Sequence, residues 1–386
     1  MSRLLILPFF LFTVLSCTAQ PTQTSRVITG AEQFTTLMQK IKGKRVALVV
    51  NHTALIGKTH LADSLKKVGV SISIIFGPEH GFRGDTADGE HIQDSIDAKT
   101  GVLVASLYGK SRKPTPAQLA NVDVVIFDIQ DVGTRFYTYI STLHYVMEAC
   151  AENNKPLIIL DRPNPNGDYV DGPIRQPDLK SFVGMNPIPI VHGLTVGELA
   201  QMANGEGWLE GGKKCDVDII KIKSWKHSDH YSLPVRPSPN LPNDQSIRLY
   251  PSLCLFEGTV ISVGRGTTMQ FQVLGNPDLK EMPFQFTPVS MPGISNKPPH
   301  QDKVCYGIDL RTVKVEPRLD LSYLLQFYKL YPDKEKFWGG SFNRLAGTTE
   351  LKQQIIDGWT EEKIRASWEP GLSQFKEKRK KYLIYP

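Results

Sequence analysis

The sequence predicts an α/β fold: a Rossmann-like domain with a mostly parallel sheet, followed by a smaller α/β domain. Short β-branched runs alternate with helix-like stretches in the first half of the chain, which is the order that repeated βαβ units produce. The runs are apolar throughout, as expected for strands that are buried on both faces of a parallel sheet. A stretch rich in proline, asparagine and serine, residues 227–251, then interrupts the pattern.

Five runs in the first half are predicted as strands, and three stretches between them as helices. The predicted strands are residues 45–51, 70–79, 101–109, 123–133 and 156–165. The predicted helices are residues 59–69, 114–122 and 138–154. Residues 188–193 and 216–225 continue the strand pattern on either side of a helix over 195–208, where Thr195 and Glu198 form a capping box.

The alternating pattern ends near Trp225, which places the first domain over residues 27–226 and the second over residues 227–386. The second domain is predicted to be the smaller of the two. Its candidate elements are two strand-like segments at 257–267 and 304–316 and three helices at 320–333, 348–359 and 360–382.

The N-terminus has the pattern of an export signal. Arg3 precedes an apolar run over residues 4–15, which is shorter than the roughly 20 residues that a membrane-spanning helix needs. We interpret residues 1–19 as a signal peptide, and favour a lipoprotein signal over 1–16 with lipid attached to Cys17. Ordinary cleavage after the small residues that follow remains the alternative. The sequence thus predicts an exported protein of the periplasm or cell envelope, attached to a membrane only through a possible lipid anchor.

Composition argues against several classes of partner and cofactor. The 45 lysines and arginines exceed the 39 aspartates and glutamates by six charges, but the excess is scattered and partly lies in the C-terminal tail. This does not favour a nucleic-acid partner, although it is compatible with an anionic cell-wall polymer. The cysteines form no C-x-x-C pair, and the sequence lacks a P-loop, a G-x-S-x-G elbow and an H-E-x-x-H motif. No metal or cofactor is predicted.

Ligands of parallel sheets bind beyond the carboxyl ends of the strands, so polar residues just after an apolar run are candidate site residues. The first such segment, GPEHGFRG, brings Glu79, His80 and Arg83 to one strand end. The alternative interpretation is a structural turn in which Glu79 pairs with Arg83.

The second segment, FDIQDVGTRFYTY, follows the strand predicted over 123–133 and is rich in hydrogen-bonding and aromatic side chains. Its candidate site residues are Asp128, Gln130, Asp131, Arg135, Tyr137 and Tyr139. Such a loop can hydrogen-bond to a sugar and pack against it. Asp131 or Thr134 could instead simply cap the helix that begins near Tyr137.

The third segment, LDRPNPNG, ends a buried strand at Asp161 and continues through Arg162 and Asn164. An Asp161–Arg162 pair that fixes the loop is the alternative to a binding role.

The fourth segment lies in the second domain, where Glu257 is followed by the glycine-flanked Arg265. Its alternative interpretation is a β-hairpin with a bulge. Hydrolysis of a glycosidic bond needs two carboxyl groups, and Glu79 together with a strand-end aspartate would supply them.

These motifs resemble those of the NamZ-like exo-β-N-acetylmuramidases. The resemblance rests on GPEHGFRG, FDIQDVGTRFYTY, LDRPNPNG, HGLTVGELA and LCLFEGT followed by SVGRGT, and it extends from Val27 to Pro386. It implies two α/β domains with the active site in the cleft between them and no cofactor. The implied reaction is release of terminal N-acetylmuramic acid from the non-reducing end of peptidoglycan fragments, by hydrolysis of the β-1,4 bond to N-acetylglucosamine.

Glu79 matches the catalytic glutamate proposed for that family. The second carboxylate stays open among Asp128, Asp131 and Asp161, and we rank Asp128 first because it is the earliest polar residue at its strand end. The lactyl carboxylate of N-acetylmuramic acid calls for a cation. The candidate cations are Arg83, Arg135, Arg162 and Arg265.

Two other functions compete with hydrolysis of muramic acid. A non-catalytic sugar-binding protein would use the same acids and tyrosines for recognition alone. An esterase or deacetylase would need a nucleophile elbow or a metal cluster, and the sequence contains neither motif.

Overall fold

The computed structural model describes residues 26–84 and 94–386, so the predicted signal peptide and Cys17 lie outside the described residues. The strands are β1 (Arg45–Val50), β2 (Leu55–Ile56), β3 (Thr59–His60), β4 (Ser71–Gly77), β5 (Ser95–Ile96), β6 (Leu103–Ser106), β7 (Val124–Asp128), β8 (Leu157–Leu160), β9 (Val217–Ile220), β10 (Val273–Asn276), β11 (Phe284–Phe286) and β12 (Cys305–Asp309). The helices are α1 (Phe34–Ile41), α2 (Leu61–Lys67), α3 (Pro116–Leu119), α4 (Tyr139–Glu152), α5 (Val196–Gly205), α6 (Asp244–Leu253), α7 (Ser322–Leu330), α8 (Phe342–Ala346), α9 (Glu350–Ile356) and α10 (Glu361–Arg379).

Seven strands form the central sheet in the order β5-β6-β4-β1-β7-β8-β9. All neighbouring strands are parallel except β5, which runs antiparallel to β6. From β1 the chain moves through β4 and β6 toward one edge, and then continues from β7 through β8 and β9 to the other. The switch point therefore lies between β1 and β7, and ligands of such sheets bind beyond the strand ends near that point. The predicted Rossmann-like, mostly parallel sheet is confirmed.

Alternate residues of the central strands pack into opposite layers, because side chains alternate between the two faces of a sheet. In β1, Ala47 and Val49 belong to one hydrophobic cluster, whereas Val46, Leu48 and Val50 belong to the other. Helix α4 covers the first face, and α1 and α2 cover the second. Burial on both faces explains why these strands are apolar throughout.

The predicted capping box is present at the start of α5. The Thr195 side chain accepts a hydrogen bond from the Glu198 amide, and the Glu198 side chain accepts one from the Thr195 amide. This exchange satisfies two amide groups that would otherwise lack partners in the first helical turn. The short-range pattern therefore located this helix start correctly.

The strand predicted over 188–193 is wrong. Ile188 and Ile190 are buried, but Val191 forms only isolated bridges, with Thr134 and Asp171, and the segment is not part of the central sheet. It runs beside the loop that follows β7, where the Arg135 amide donates to the Ile190 carbonyl at 2.8 Å. Its apolar character reflects burial, which a short apolar run cannot distinguish from strand formation.

The second half of the chain contains a three-stranded antiparallel sheet in the order β10-β12-β11, together with helices α6 to α10. The chain then returns to the first half. The Tyr385 hydroxyl donates to Asp161 at 2.7 Å, and the Ile384 amide donates to Glu198 at 2.9 Å. These bonds attach the C-terminal tail to the large sheet. None of the helices in the two described ranges is long and apolar enough to cross a bilayer.

Candidate active site

A cavity of about 310 Å³ lies beyond the carboxyl ends of β4, β6 and β7. Glu79, Tyr108 and Tyr137 line it from the loops that follow these strands, and Glu257 and Arg265 line it from the second half of the chain. Both halves therefore contribute to one site at the sheet edge that the strand-end rule selects.

Glu79 lies half-buried at the cavity wall. The turn that carries it is closed by a 3.0 Å bond from the Gly81 amide to the Pro78 carbonyl, and His80 adopts a left-handed φ of 68°. The Thr138 hydroxyl donates to the Glu79 carboxylate at 2.6 Å, and the Tyr108 side chain also hydrogen-bonds to it. Two hydroxyls from neighbouring strand ends thus hold the carboxylate in the cavity.

Arg83 does not pair with Glu79, so the structural alternative for that segment is wrong. Its guanidinium instead bonds to Asp63 and Asp97, each at 2.9 Å. The Arg83 hydrogen bonds hold the pKa of Asp63 below its usual range. Arg83 is therefore a structural link beside the site, and the structure does not bring it to the cavity wall.

Glu257 is the second carboxylate of the cavity. The Arg265 guanidinium donates to it, and the Cys254 thiol lies 3.6 Å from its other oxygen. Desolvation in the cavity raises the pKa of Glu257, with a further rise from the neighbouring charge of Glu79. The contact with Arg265 opposes this rise, since a cation favours the charged carboxylate.

Asp128, which the sequence ranked first as the second carboxylate, lies in a buried ion pair. Arg162 donates to its two oxygens at 2.6 and 3.0 Å, and the exposed fractions of the Asp128 and Arg162 side chains are 0% and 5%. Neither residue lines the cavity. The alternative pair of Asp161 with Arg162 is also wrong, because the Arg162 guanidinium is directed at Asp128.

Arg135 is completely buried and likewise lies outside the cavity lining. Its guanidinium donates to four backbone carbonyls from two parts of the chain, and burial lowers its pKa to about 9. The acceptors are the carbonyls of Pro173, Ile188, Leu345 and Ala346. Arg135 thus joins the loop after β7 to helix α8.

The remaining strand-end polar residues fix loops to one another. The Asp161 carboxylate accepts from Thr195 at 2.7 Å and from the Gly197 amide at 3.0 Å, and burial raises its pKa to about 6. Gln130 donates to the Pro163 carbonyl, and Asn164 donates to the Leu194 carbonyl. The structure does not bring these three side chains to the cavity.

Asp131 is buried below the cavity and does not cap α4. Its carboxylate accepts from the Gly133 amide at 2.7 Å, and burial raises its pKa to about 7. Gly133 has a φ of 79°, and a Cβ there would lie 2.1 Å from the Asn164 Oδ1 atom. Only glycine allows the two loops to approach this closely.

Tyr137 and Tyr139 form part of the cavity wall, as predicted for sugar-packing residues, and His80 also contributes. The two tyrosine rings meet edge to face with centroids 4.8 Å apart, which limits how either can rotate. Sequence reasoning missed Tyr108 and Thr138. Tyr108 is the last side chain of the run predicted as a strand over 101–109. Inspecting that strand end in the same way as the others would have identified it.

The sequence also did not indicate that the stretch over residues 227–251 contributes to the site. Ser238, Asn240 and Leu241 line the cavity, although the sequence suggested only a connection between domains. Across residues 26–84 and 94–386, no three His, Cys, Asp or Glu side chains are grouped as ligands of a metal ion would be.

A pocket at the carboxyl edge of a parallel sheet, holding two carboxyl groups and an arginine, is the kind of site that glycoside hydrolases use. The comparisons with known proteins agree with this class. Residues 46–245 match the N-terminal model of exo-β-N-acetylmuramidase NamZ, and residues 248–385 match the C-terminal model. The chain belongs to the NamZ exo-β-N-acetylmuramidase family.

Similar proteins cover nearly the whole chain. It is 43% identical over 371 residues to the peptidoglycan β-N-acetylmuramidase NamZ of Bacillus subtilis (strain 168), covering 90% of this chain and 88% of that protein. Crystal structures of two DUF1343 family proteins from Bacteroides fragilis NCTC 9343 are also similar. One has 46% identity and a TM-score of 0.87, the other 30% and 0.81, and each match covers 94% of this chain and 99% of the other.

Proposed function

We propose that this protein is an exo-acting glycoside hydrolase of cell-wall turnover or recycling. It releases N-acetylmuramic acid from the non-reducing end of peptidoglycan fragments by hydrolysing the β-1,4 bond to N-acetylglucosamine. The observation that carries the proposal is the pairing of Glu79 with Glu257 in one cavity. At about 310 Å³, this cavity is at the small end of ligand sites, which suits one terminal sugar.

Glu79 and Glu257 supply the two carboxyl groups that the reaction needs. Glu257 contacts the Arg265 guanidinium, which favours its charged form and suits the carboxylate that acts at the anomeric carbon or on the attacking water. Glu79, held by Thr138 and Tyr108, suits the group that protonates the leaving oxygen. Glu257 thereby takes the place that the sequence assigned to Asp128.

The defining experiment uses the purified protein and the disaccharide MurNAc-β-1,4-GlcNAc. Free N-acetylmuramic acid and N-acetylglucosamine should appear together, detected by mass spectrometry. Binding of the disaccharide without release of either sugar would instead identify a non-catalytic sugar-binding protein.

Arg265 is the candidate partner of the lactyl carboxylate, since it lines the cavity beside Glu257, whereas Arg83, Arg135 and Arg162 lie outside the cavity lining. We therefore expect kcat/KM for a disaccharide that begins with N-acetylglucosamine to be about 5- to 150-fold lower than for MurNAc-GlcNAc, because a charged contact is lost. Arg265→Ala should remove most of this discrimination, whereas the exposed Arg311→Ala should preserve it. Equal kcat/KM values of the wild type on both disaccharides would contradict the assignment.

We also propose that the protein acts outside the cytoplasm, in the periplasm or cell envelope. The proposal is supported by Arg3, the apolar run over 4–15 and Cys17, and by a substrate class that is itself an envelope polymer. Mass spectrometry of the protein from membranes should show a mature N-terminus at lipid-modified Cys17. An unmodified start at Gln20 would rule out the anchor and leave export standing.

A further inference from the structure

An aromatic cluster lies beside the cavity and shares Tyr108 with the cavity wall. We call Tyr108, Tyr145, Phe182 and the exposed Arg112 the aromatic rim. The Phe182 ring stacks with Tyr145 at a centroid distance of 6.4 Å and an interplanar angle of 19°, and it lies 5.9 Å from Tyr108. The Arg112 guanidinium carbon lies 4.5 Å from the Phe182 ring centroid. The three aromatic side chains remain only partly buried.

A tight turn holds Phe182 in this position. The Ser181 and Gly184 backbones bond to each other in both directions, at 3.3 and 3.0 Å, which leaves Phe182 and Val183 at the tip. The Ser141 hydroxyl donates to the Phe182 carbonyl at 2.6 Å and fixes the turn to α4. A turn anchored at its base and its tip presents the ring in one orientation, as a binding platform requires.

The rim is continuous with the catalytic cavity. Tyr108 and Val183 line the cavity, and Tyr108 also hydrogen-bonds to Glu79. The Phe182 ring therefore contacts Tyr108, and Tyr108 in turn contacts the Glu79 carboxyl group. Because Glu79 is the group proposed to protonate the leaving oxygen, the sugar on the leaving side should lie near Glu79, beside this surface.

We propose that the aromatic rim is the subsite for the sugar on the leaving side of the bond, the N-acetylglucosamine that follows the terminal N-acetylmuramic acid. The inference rests on the proposed function, because it assumes that the terminal sugar occupies the cavity. The apolar face of a pyranose ring packs against aromatic side chains, and a half-buried aromatic group supplies such a face at little entropic cost.

The test compares two glycosides that share the same terminal sugar: MurNAc-GlcNAc, which has a ring on the leaving side, and methyl β-N-acetylmuramide, which has none. Phe182→Ala should lower kcat/KM for MurNAc-GlcNAc about tenfold, the scale of one aromatic contact, and change that for the methyl glycoside less than about twofold. Phe182→Leu keeps the apolar packing without the ring and should show the same selective loss.

Phe284 offers a matched control, since it is a partly buried phenylalanine with Arg311 above its ring and does not line the cavity. Phe284→Ala should leave kcat/KM for both glycosides unchanged. If the wild type hydrolyses neither glycoside, the proposed function fails. If it hydrolyses both, and both Phe182 variants slow the two substrates equally or not at all, the rim proposal fails while the proposed function stands.

Discussion

Replacing Glu79 by glutamine should lower kcat on MurNAc-GlcNAc by about a hundredfold or more and leave the dissociation constant for the substrate nearly unchanged. The amide keeps the size of the side chain and can still accept hydrogen bonds from Thr138 and Tyr108. It can no longer carry charge or exchange a proton, and loss of such a catalytic group typically costs a factor of 10² to 10⁴. Steady-state rates and calorimetric binding measure the two effects separately.

Two further variants sharpen this experiment. Glu257→Gln should also lower kcat strongly and should alter the acidic limb of the pH–rate profile, since Glu257 must be charged to act at the anomeric carbon or on the attacking water. Glu281→Gln, on the exposed surface, should behave as wild type. Full activity of Glu79→Gln would exclude Glu79 from the chemistry, since glutamine cannot replace a carboxylate in either role.

Replacing Asp128 by asparagine should lower the free energy of unfolding by about 3 to 5 kcal/mol, because the buried Arg162 guanidinium would lose its charged partner. The folded fraction should retain the wild-type kcat, since the side chain does not line the cavity. Urea unfolding, compared with activity measured well below the transition, separates stability from catalysis.

The control is the exposed pair of Asp123 and Arg45, at the other end of the same strand. Their side chains are 39% and 47% exposed, so Asp123→Asn should cost less than about 1 kcal/mol. If Asp128→Asn were as stable as wild type but inactive, Asp128 would be the catalytic carboxylate that the sequence ranked first.

Because Glu79 and Asp128 both follow predicted strands, the sequence places them at the same edge of the sheet. It does not distinguish their roles. Both follow buried apolar runs, and from the sequence both point toward the region where ligands bind. In the folded chain Glu79 meets two hydroxyls and the cavity, whereas Asp128 meets a guanidinium from the next strand end. What decides the role of each carboxylate is whether its surroundings leave it facing the cavity, and those surroundings come from other loops.

The four candidate arginines also show that the role of a side chain does not follow from its position in the sequence. Four guanidinium groups were equal candidates for the lactyl carboxylate, and their positions and partners in the folded chain separate them. Arg135 donates to four backbone carbonyls, and Arg162 forms an ion pair with Asp128. Arg265 instead lines the cavity, where it contacts Glu257. Arginine forms equally good bonds to carbonyls, carboxylates and ligands, so residue type alone does not select among these partners.

By itself, the sequence determined the parallel sheet, the capped start of α5, the loop that carries Glu79 and the family, since these depend on short-range periodicity and contiguous motifs. Only the tertiary structure decided that Glu257 shares the cavity with Glu79, that Tyr108 and Thr138 hold that carboxylate, and that the run over 188–193 is buried without being a strand. The physical reason is the same in each case. A side chain's role depends on what packs against it, and here the packing partners come from loops that are distant in sequence and meet only when the two halves of the chain close around the strand ends.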